Sequence, residues 1–299
     1  MDIQKALLIH NEAAGSAMSM VGGAVSALAP VIPELVIMKT QGAGDGEKIC
    51  RERGEDVDAV FILGGDGTVH ECINGLAQLH HPPVVGILPG GTCNDFARTL
   101  GIPINVPEAA EALIHGDAVS LDLGMANDRV FTNFFGVGII TETSENIDPT
   151  LKGSLGKLSY FISTLQTIRA AEPFRYQLKT ESIQIEDEAV MIYVSNGRSL
   201  GTSTLPFAKD SLTDGQFDVL IIRQAGIPLL RELLARKPEG RWEPHNDSLK
   251  YFKASHIHLQ TEGEMPADTD GEVYLSAPAE IKVLERRLKF LMPKNGDSP

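Results

Sequence analysis

Through the first third of the chain, short runs of consecutive apolar residues alternate with stretches patterned at helical spacing. Ala6 to Ile9 is the first such run and ends at His10-Asn11; a small-residue, helix-like stretch follows from Gly15 to Ala29. Leu35 to Met38 predicts a second strand, followed by the polar turn Thr40-Gln41-Gly42-Ala43-Gly44-Asp45. Ala59 to Leu63 predicts a third strand, Val69 to Leu79 a helix, and Val84 to Leu88 a fourth strand. Continuous apolar strands alternating with helices predict a doubly wound, mainly parallel sheet covered on both faces, an α/β domain. Ligands of such sheets bind beyond the carboxyl ends of the strands.

After about residue 117 the pattern changes. Val119 to Met125 and Arg129 to Phe135 flank the turn Ala126-Asn127-Asp128, and further strand-like runs are Phe174 to Lys179, Ala189 to Ser195, Phe217 to Ile222, His256 to Gln260 and Ile281 to Leu284. These predict a second domain, a mainly antiparallel β-sandwich. Leu155 to Ile168 and Ile227 to Ala235 read as helices within it. The boundaries expected are 1–117 for the α/β domain and 118–285 for the β domain, with 286–299, which contains the strand-like Leu288 to Met292, returning to the first. The tail from Lys294 to Pro299 reads as disordered.

A length of 299 residues suits two cores. Lys plus Arg number 26 and Asp plus Glu 40, a net charge of −14. That balance argues against a nucleic-acid partner and against broad adsorption to an anionic membrane. Cys50, Cys72 and Cys93 share no C-x-x-C spacing, so reduced thiols in a cytoplasmic setting are expected. No secretory leader is visible and no apolar run reaches the roughly 18 residues of a membrane span, so no transmembrane segment is expected.

The candidate chemistry sits where the first domain's strands end. Gly64-Gly65-Asp66-Gly67-Thr68 follows a buried strand and opens a helix. Glycines bring backbone N–H groups close to a ligand, and the helix adds its partial positive N-terminus, which together make a polyphosphate site. Pro89-Gly90-Gly91-Thr92-Cys93-Asn94-Asp95-Phe96-Ala97-Arg98 ends the next strand, where Asn94 or Thr92 can cap the following helix. No G-x-x-x-x-G-K-[ST] and no G-x-G-x-x-G opening a helix is present, which excludes a Walker-type NTPase and a dinucleotide fingerprint. His256-x-His258 places two histidines on one strand face; two histidines do not make a metal site, and they read as a surface pair.

These two loops, with Val69-His70-Glu71 continuing the first, resemble the diacylglycerol kinase catalytic-domain family, in particular bacterial lipid kinases related to diacylglycerol and sphingosine kinases. The resemblance covers nearly the whole chain. Asn11 to Gly15 is similar to the family's first turn, with Glu12 in place of its proline, and Thr40 with Gly44-Asp45 resembles the segment after its second strand. Leu121-Asp122-Leu123-Gly124, Phe131-Thr132-Asn133 through Gly138, Asn196-Gly197, Leu212 to Val219 and Asp270-Gly271-Glu272 resemble its later motifs. The family's glycine-rich run after Asn196-Gly197 is reduced here to Ser199-Leu200-Gly201-Thr202-Ser203-Thr204-Leu205, and Gln216 replaces a more usual apolar residue.

The resemblance implies an ATP-dependent lipid kinase that transfers the γ-phosphoryl group to a lipid alcohol, with diacylglycerol giving phosphatidic acid as the leading expectation. It implies ATP contacts at Asn11, Thr40, Gly64, Gly65, Asp66, Gly67, Thr68, Glu71, Gly91, Thr92, Asn94 and Asp95. A structural Mg²⁺ is implied at Ser211, Asp214 and Gln216. Glu272 is the implied general base, Asp270 the other candidate, and Asp66 a residue that orients Mg²⁺ or the Glu272 network. An active site in a cleft between the domains and peripheral contact with the inner membrane face are further expectations, the helix Leu155 to Ile168 with Lys152, Lys157 and Arg169 being one candidate for it. The sequence does not set the oligomeric state, and a homodimer is compatible with it. Two rivals are a soluble-substrate kinase of the NAD kinase or phosphofructokinase type and a non-catalytic nucleotide-binding regulator. No G-S-T-A-Y or T-I-D-N-D string supports the first, and only the altered Ser199 to Leu205 loop supports the second.

Overall fold

The computed structural model describes residues 2–11, 17–138, 141, 172–197, 199–200, 203–204, 212–224 and 249–294. The helices read over Leu155 to Ile168 and Ile227 to Ala235, most of the Asn11 to Gly15 turn, Ser211 and the tail beyond Lys294 lie outside the described residues. The chain divides into two compact units, Met1–Asp122 with Glu285–Pro299, and Leu123–Leu284. The division falls within β5 (Asp117–Ala126).

The first unit begins β1 (Lys5–Asn11), α1 (Ala17–Leu28), β2 (Glu34–Thr40), α2 (Asp45–Arg53), β3 (Ala59–Gly64), α3 (Asp66–Leu76) and β4 (Val84–Pro89), followed by α4 (Asp95–Thr99) and α5 (Val106–Ile114). The strands pair in parallel in the order β2-β1-β3-β4. Every residue of β3 and β4 is buried. Strands this apolar need cover on both faces, which the helix pairs α1 with α5 and α2 with α3 supply. Gly23 of α1 lies so close to Pro107 of α5 that an added Cβ would sit 2.9 Å from the ring.

The start of one helix and the existence of another differ from the sequence reading. Helix α3 begins at Asp66, not Val69, because Gly65 is extended at φ −86° and ψ −175° and acts as N-cap, so Asp66, Gly67 and Thr68 form the first helical turn. Helix α2 has no counterpart in the reading of Thr40 to Asp45 as a polar turn. Its sequence, Asp45-Gly46-Glu47-Lys48-Ile49-Cys50-Arg51-Glu52-Arg53, buries only Gly46 and Cys50, too little for an apolar stripe.

The second unit continues with β6 (Arg129–Phe131), β7 (Phe134–Gly138), β8 (Phe174–Lys179), β9 (Gln184–Ala189) and β10 (Met191–Ser195), then the two-residue strands β11 (Ser199–Leu200) and β12 (Ser203–Thr204). Next come β13 (Phe217–Ile222), β14 (Leu249–Ala254), β15 (His256–Thr261), β16 (Met265–Thr269), β17 (Glu272–Ala277) and β18 (Ala279–Met292). One layer is the antiparallel sheet β14-β13-β10-β7-β16-β17. The other runs through β9, β8, β15 and the first part of β18. Phe135, Ile192, Val194, Phe217 and Val219 from the first layer and Tyr176, Leu178, Ile257, Leu259 and Ile281 from the second share one buried core. This is a β-sandwich, as the alternation of strands predicts.

Here too, some runs divide and others merge. The run Ala189 to Ser195 belongs to two strands that meet at Val190, and Arg129 to Phe135 splits at Thr132-Asn133. Ile281 to Leu284 and Leu288 to Met292 are one long strand, interrupted in pattern by Glu285-Arg286-Arg287, where Arg286 takes φ 48°. From Glu285 the strand lies in the first unit: Arg286 N–H donates to Asp122 Oδ1 (2.7 Å), Arg287 donates to the carbonyls of Ala77 and Leu79, and Phe290 pairs with Val85 of β4.

Candidate functional site

In the first unit the strand register gathers the implied nucleotide residues at one edge. Asn11 pairs with Thr40, His10 with Leu63, and Gly64 with Pro89. The carboxyl ends of β1, β2, β3 and β4 therefore deliver Asn11, Thr40, Gly64 to Thr68 and Gly90 to Asp95 to the same side of the sheet. The strand order reverses between β1 and β3, the switch point at which such sheets bind ligands.

The two glycine loops touch backbone to backbone. A Cβ built on Gly91 would lie 2.4 Å from the Gly65 Cα, and one built on Gly65 would lie 3.2 Å from the Gly91 Cα. Glycine at position 91 is what lets the loops close on each other, and Gly65 is tightly packed against it. Gly90 N–H donates to Gly64 O at 2.9 Å and extends the β3–β4 pairing into the loops. Asn94 clasps Gly91 twice: its Oδ1 accepts from Gly91 N–H (2.9 Å) and its Nδ2 donates to Gly91 O (2.8 Å). The expectation that Asn94 caps the next helix by its side chain fails for this reason. Asn94 sits at φ 51° with its side chain turned back, and the cap is Asp66, whose carboxylate accepts from Asn94 N–H (3.1 Å) and Asp95 N–H (2.7 Å). Asp66 thus ties the first loop to the second.

Glu71 has a parallel task. Its two oxygens accept from Gly44 N–H (2.8 Å) and Gly46 N–H (3.1 Å), holding the start of α2 and the turn after Thr40. Thr68 is buried and folds back over Gly64, while Thr92 is exposed and Asn11 lies exposed at the end of β1. His70, within the same string, is buried beside Asn74, whose side chain donates to the His70 carbonyl at 2.9 Å. The result is a braced pair of glycine loops with the first turn of an eleven-residue helix between them. First-turn N–H groups have no acceptor within the helix and carry its positive end, so the arrangement can bind a polyphosphate.

In the second unit, Asp270 and Glu272 have different surroundings. Asp270 and Gly271 form a two-residue hairpin loop between β16 and β17, both with positive φ (57° and 93°), the conformation that an Asp-Gly turn favours. The turn is not solvated at Asp270, which is 5% exposed. Its Oδ2 accepts from Thr132 N–H (2.7 Å) and Thr132 Oγ1–H (2.9 Å), and its Oδ1 from Asn133 N–H (2.8 Å) and Phe134 N–H (3.0 Å). Asn196 and Gly197 join the corner, both N–H groups donating to Asn133 O at 2.8 Å. A Cβ on Gly197 would sit 2.6 Å from Asn133 Oδ1 and 3.0 Å from the Asn133 Cα, so the corner is closely packed at this glycine. Asp268, which the sequence reading did not single out, is fully buried and accepts Gly271 N–H at 2.7 Å. Its only sequence signal is the alternation Asp268-x-Asp270-x-Glu272. Glu272 opens β17 with an exposed side chain.

Ser211 lies outside the described residues. Asp214 Oδ1 accepts Gln216 N–H (3.2 Å), and its Oδ2 binds the Lys253 ammonium at 2.9 Å. The same ammonium lies 3.8 Å from Asp218 Oδ1, which accepts from Tyr251 Oη–H at 2.6 Å. Burial holds the Asp218 pKa above the ordinary carboxylate value against these partners. A cationic group already occupies the Asp214 carboxylate, and Gln216 offers only neutral oxygens. Of the implied set, the described residues supply one carboxylate, that of Asp214, and it is already paired with Lys253.

The chain is similar to known proteins over both units. The diacylglycerol kinase catalytic domain family matches residues 5–126, and the YegS C-terminal NAD kinase beta sandwich-like domain family matches residues 136–292. A Staphylococcus carnosus (strain TM300) protein named "Putative lipid kinase" is 30% identical over 294 residues, 96% of either chain. A Staphylococcus aureus (strain JH9) protein of the same description is 33% identical over 276 residues, 91% of this chain and 90% of that one. The crystal structure of a "putative diacylglycerol kinase" from Bacillus anthracis str. Sterne superposes with a TM-score of 0.89 at 38% identity, covering 98% of this chain and 97% of that one.

Proposed function

The chain belongs to the diacylglycerol kinase catalytic-domain family, and on that premise we propose that it is a lipid kinase that uses ATP, presented as its Mg²⁺ complex, to phosphorylate a lipid alcohol. The observation that carries the ATP half is the gathering of Asn11, Thr40, Gly64 to Thr68 and Gly91 to Asp95 at the carboxyl ends of four parallel strands. The lipid half rests on lipid-kinase relatives that match more than nine-tenths of the chain. Diacylglycerol is the leading acceptor, with phosphatidic acid as product, met at a membrane surface from the water side.

In this reading the polyphosphate lies against the first-turn N–H groups of α3, and the loops braced by Asp66 and Asn94 hold their shape as charge moves. The acceptor hydroxyl oxygen attacks the γ-phosphorus, the bond from that phosphorus to the β–γ bridging oxygen breaks, and ADP leaves. Glu272 takes the hydroxyl proton. Glu272 fits that role better than Asp270, because both oxygens of Asp270 already accept from Thr132, Asn133 and Phe134. Phosphoryl transfer depends chiefly on positioning and charge neutralisation, and a base aligned on the hydroxyl contributes about 10²–10⁴-fold.

The test is steady-state kinetics of Glu272→Gln. Turnover falls by about 10² or more with the KM for ATP little changed; turnover within about threefold of wild type removes the base role. A second reading, a soluble acceptor, draws on the NAD kinase-like description of the C-terminal family and is separated by the choice of acceptor.

A further inference from the structure

The sequence offers two histidines on β15, and the fold adds a third ligand from β18. His256 and His258 stand two residues apart on the same face, with Ile257 between them fully buried on the other. Strand β18 pairs antiparallel with β15 so that His258 faces Glu280 and His256 faces Lys282. His256 Nε2 lies 3.0 Å from Glu280 Oε1, and the two imidazole rings are 4.4 Å apart between centroids. One ligand atom from each of the three side chains falls within 4.8 Å of the others.

We propose that His256, His258 and Glu280 form a binding site for a divalent transition-metal ion of the zinc class on the exposed face of the β15–β18 pair. Two imidazoles and one carboxylate match the three-ligand set with which Zn²⁺ leaves a fourth position for water, and nitrogen ligands select against Mg²⁺ and Ca²⁺. Tetrahedral coordination at about 2.0–2.1 Å puts ligand atoms about 3.4 Å apart. The His256–Glu280 pair is already inside that distance, and the exposed His258 ring has solvent in which to turn toward them. The three residues come from paired strands, so the backbone beneath the ion is fixed. Lys282, opposite His256, and Lys179 on β8, opposite His258, are the flanking cations. Their repulsion weakens the site without removing a ligand. A bound ion would staple β15 to β18, and the open position would admit a water or an anionic ligand. The site is independent of the kinase reading: none of its residues belongs to the nucleotide loops or the Asp270 corner.

The experiment is equilibrium dialysis of the full, tag-free chain against Zn²⁺, and separately against Mg²⁺, with a Co²⁺ absorption spectrum as a report on ligand geometry. One Zn²⁺ binds per chain, Mg²⁺ does not compete, and Co²⁺ gives the visible bands of a tetrahedral site. His258→Ala and Glu280→Gln each weaken Zn²⁺ binding by roughly tenfold or more, while a His80→Ala/His81→Ala control binds as wild type. These positions are on the surface, and unchanged circular dichroism separates lost ligation from lost fold. Absence of stoichiometric Zn²⁺ binding, or binding that survives His258→Ala and Glu280→Gln undiminished, overturns the proposal and leaves the three as a hydrogen-bonded surface cluster.

Discussion

The two carboxylates of the Asp270-Gly271-Glu272 string are chemically alike and physically opposite. Asp270 is buried and accepts four hydrogen bonds, three of them from consecutive backbone N–H groups. Asp270→Asn replaces one acceptor oxygen by a donor facing donors, leaving buried N–H groups unpaired. A loss of about 2–4 kcal/mol in urea unfolding is expected, against no measurable change for Glu272→Gln. Equal stability of Asp270→Asn and wild type would show that the anchor is not what holds this corner. The sequence marks both residues by their motif but cannot separate them, because burial and four acceptor contacts come from Thr132 to Phe134, far away in the chain. Asp66 is a similar case. It is conspicuous in its glycine string, yet its work of accepting the Asn94 and Asp95 amides becomes visible only when the two loops are brought together.

At the scale of elements, helix α2 depends on a residue outside itself. Its N-cap Gly44 is left-handed, with no side-chain cap of its own, and the Glu71 carboxylate takes the amides of Gly44 and Gly46. Glu71→Ala is expected to cost about 1–2 kcal/mol, in the range of a lost N-cap, and to loosen the turn after Thr40. Amide hydrogen exchange at the start of α2 reads this directly, with faster exchange at Gly46 than at the buried amides of β3 as the expected outcome. This dependence also explains what was legible. The parallel strands were, because buried β1, β3 and β4 are continuous apolar runs; so were Phe174 to Lys179 and Phe217 to Ile222, whose ends coincide with β8 and β13. Helix α2 and strands β9, β14, β16 and β17 were not. Gln184-Ile185-Glu186-Asp187-Glu188-Ala189 is acidic, and Met265-Pro266-Ala267-Asp268-Thr269 is short and holds a proline. Their places are set by pairing with neighbours, not by their own periodicity.

For the whole molecule, the chain carries an α/β unit and a β-sandwich unit, and each matches its own family. Among the described residues, no helix is long and apolar enough to cross a membrane. Lys253 pairs with the Asp214 carboxylate at 2.9 Å, and a turn braced by that pair is expected to keep its stability without Mg²⁺. The expected melting temperature is therefore the same in EDTA as in excess Mg²⁺, and a drop of several degrees in EDTA alone would restore a structural metal to that turn. The identity of the reaction is read with γ-labelled ATP. The chain is given a panel of lipid alcohols in mixed micelles beside NAD and fructose 6-phosphate, and the labelled product is identified. Label is expected in a lipid phosphate monoester, with diacylglycerol the best acceptor. Label in NADP or fructose bisphosphate, with none in any lipid, would overturn the lipid kinase reading.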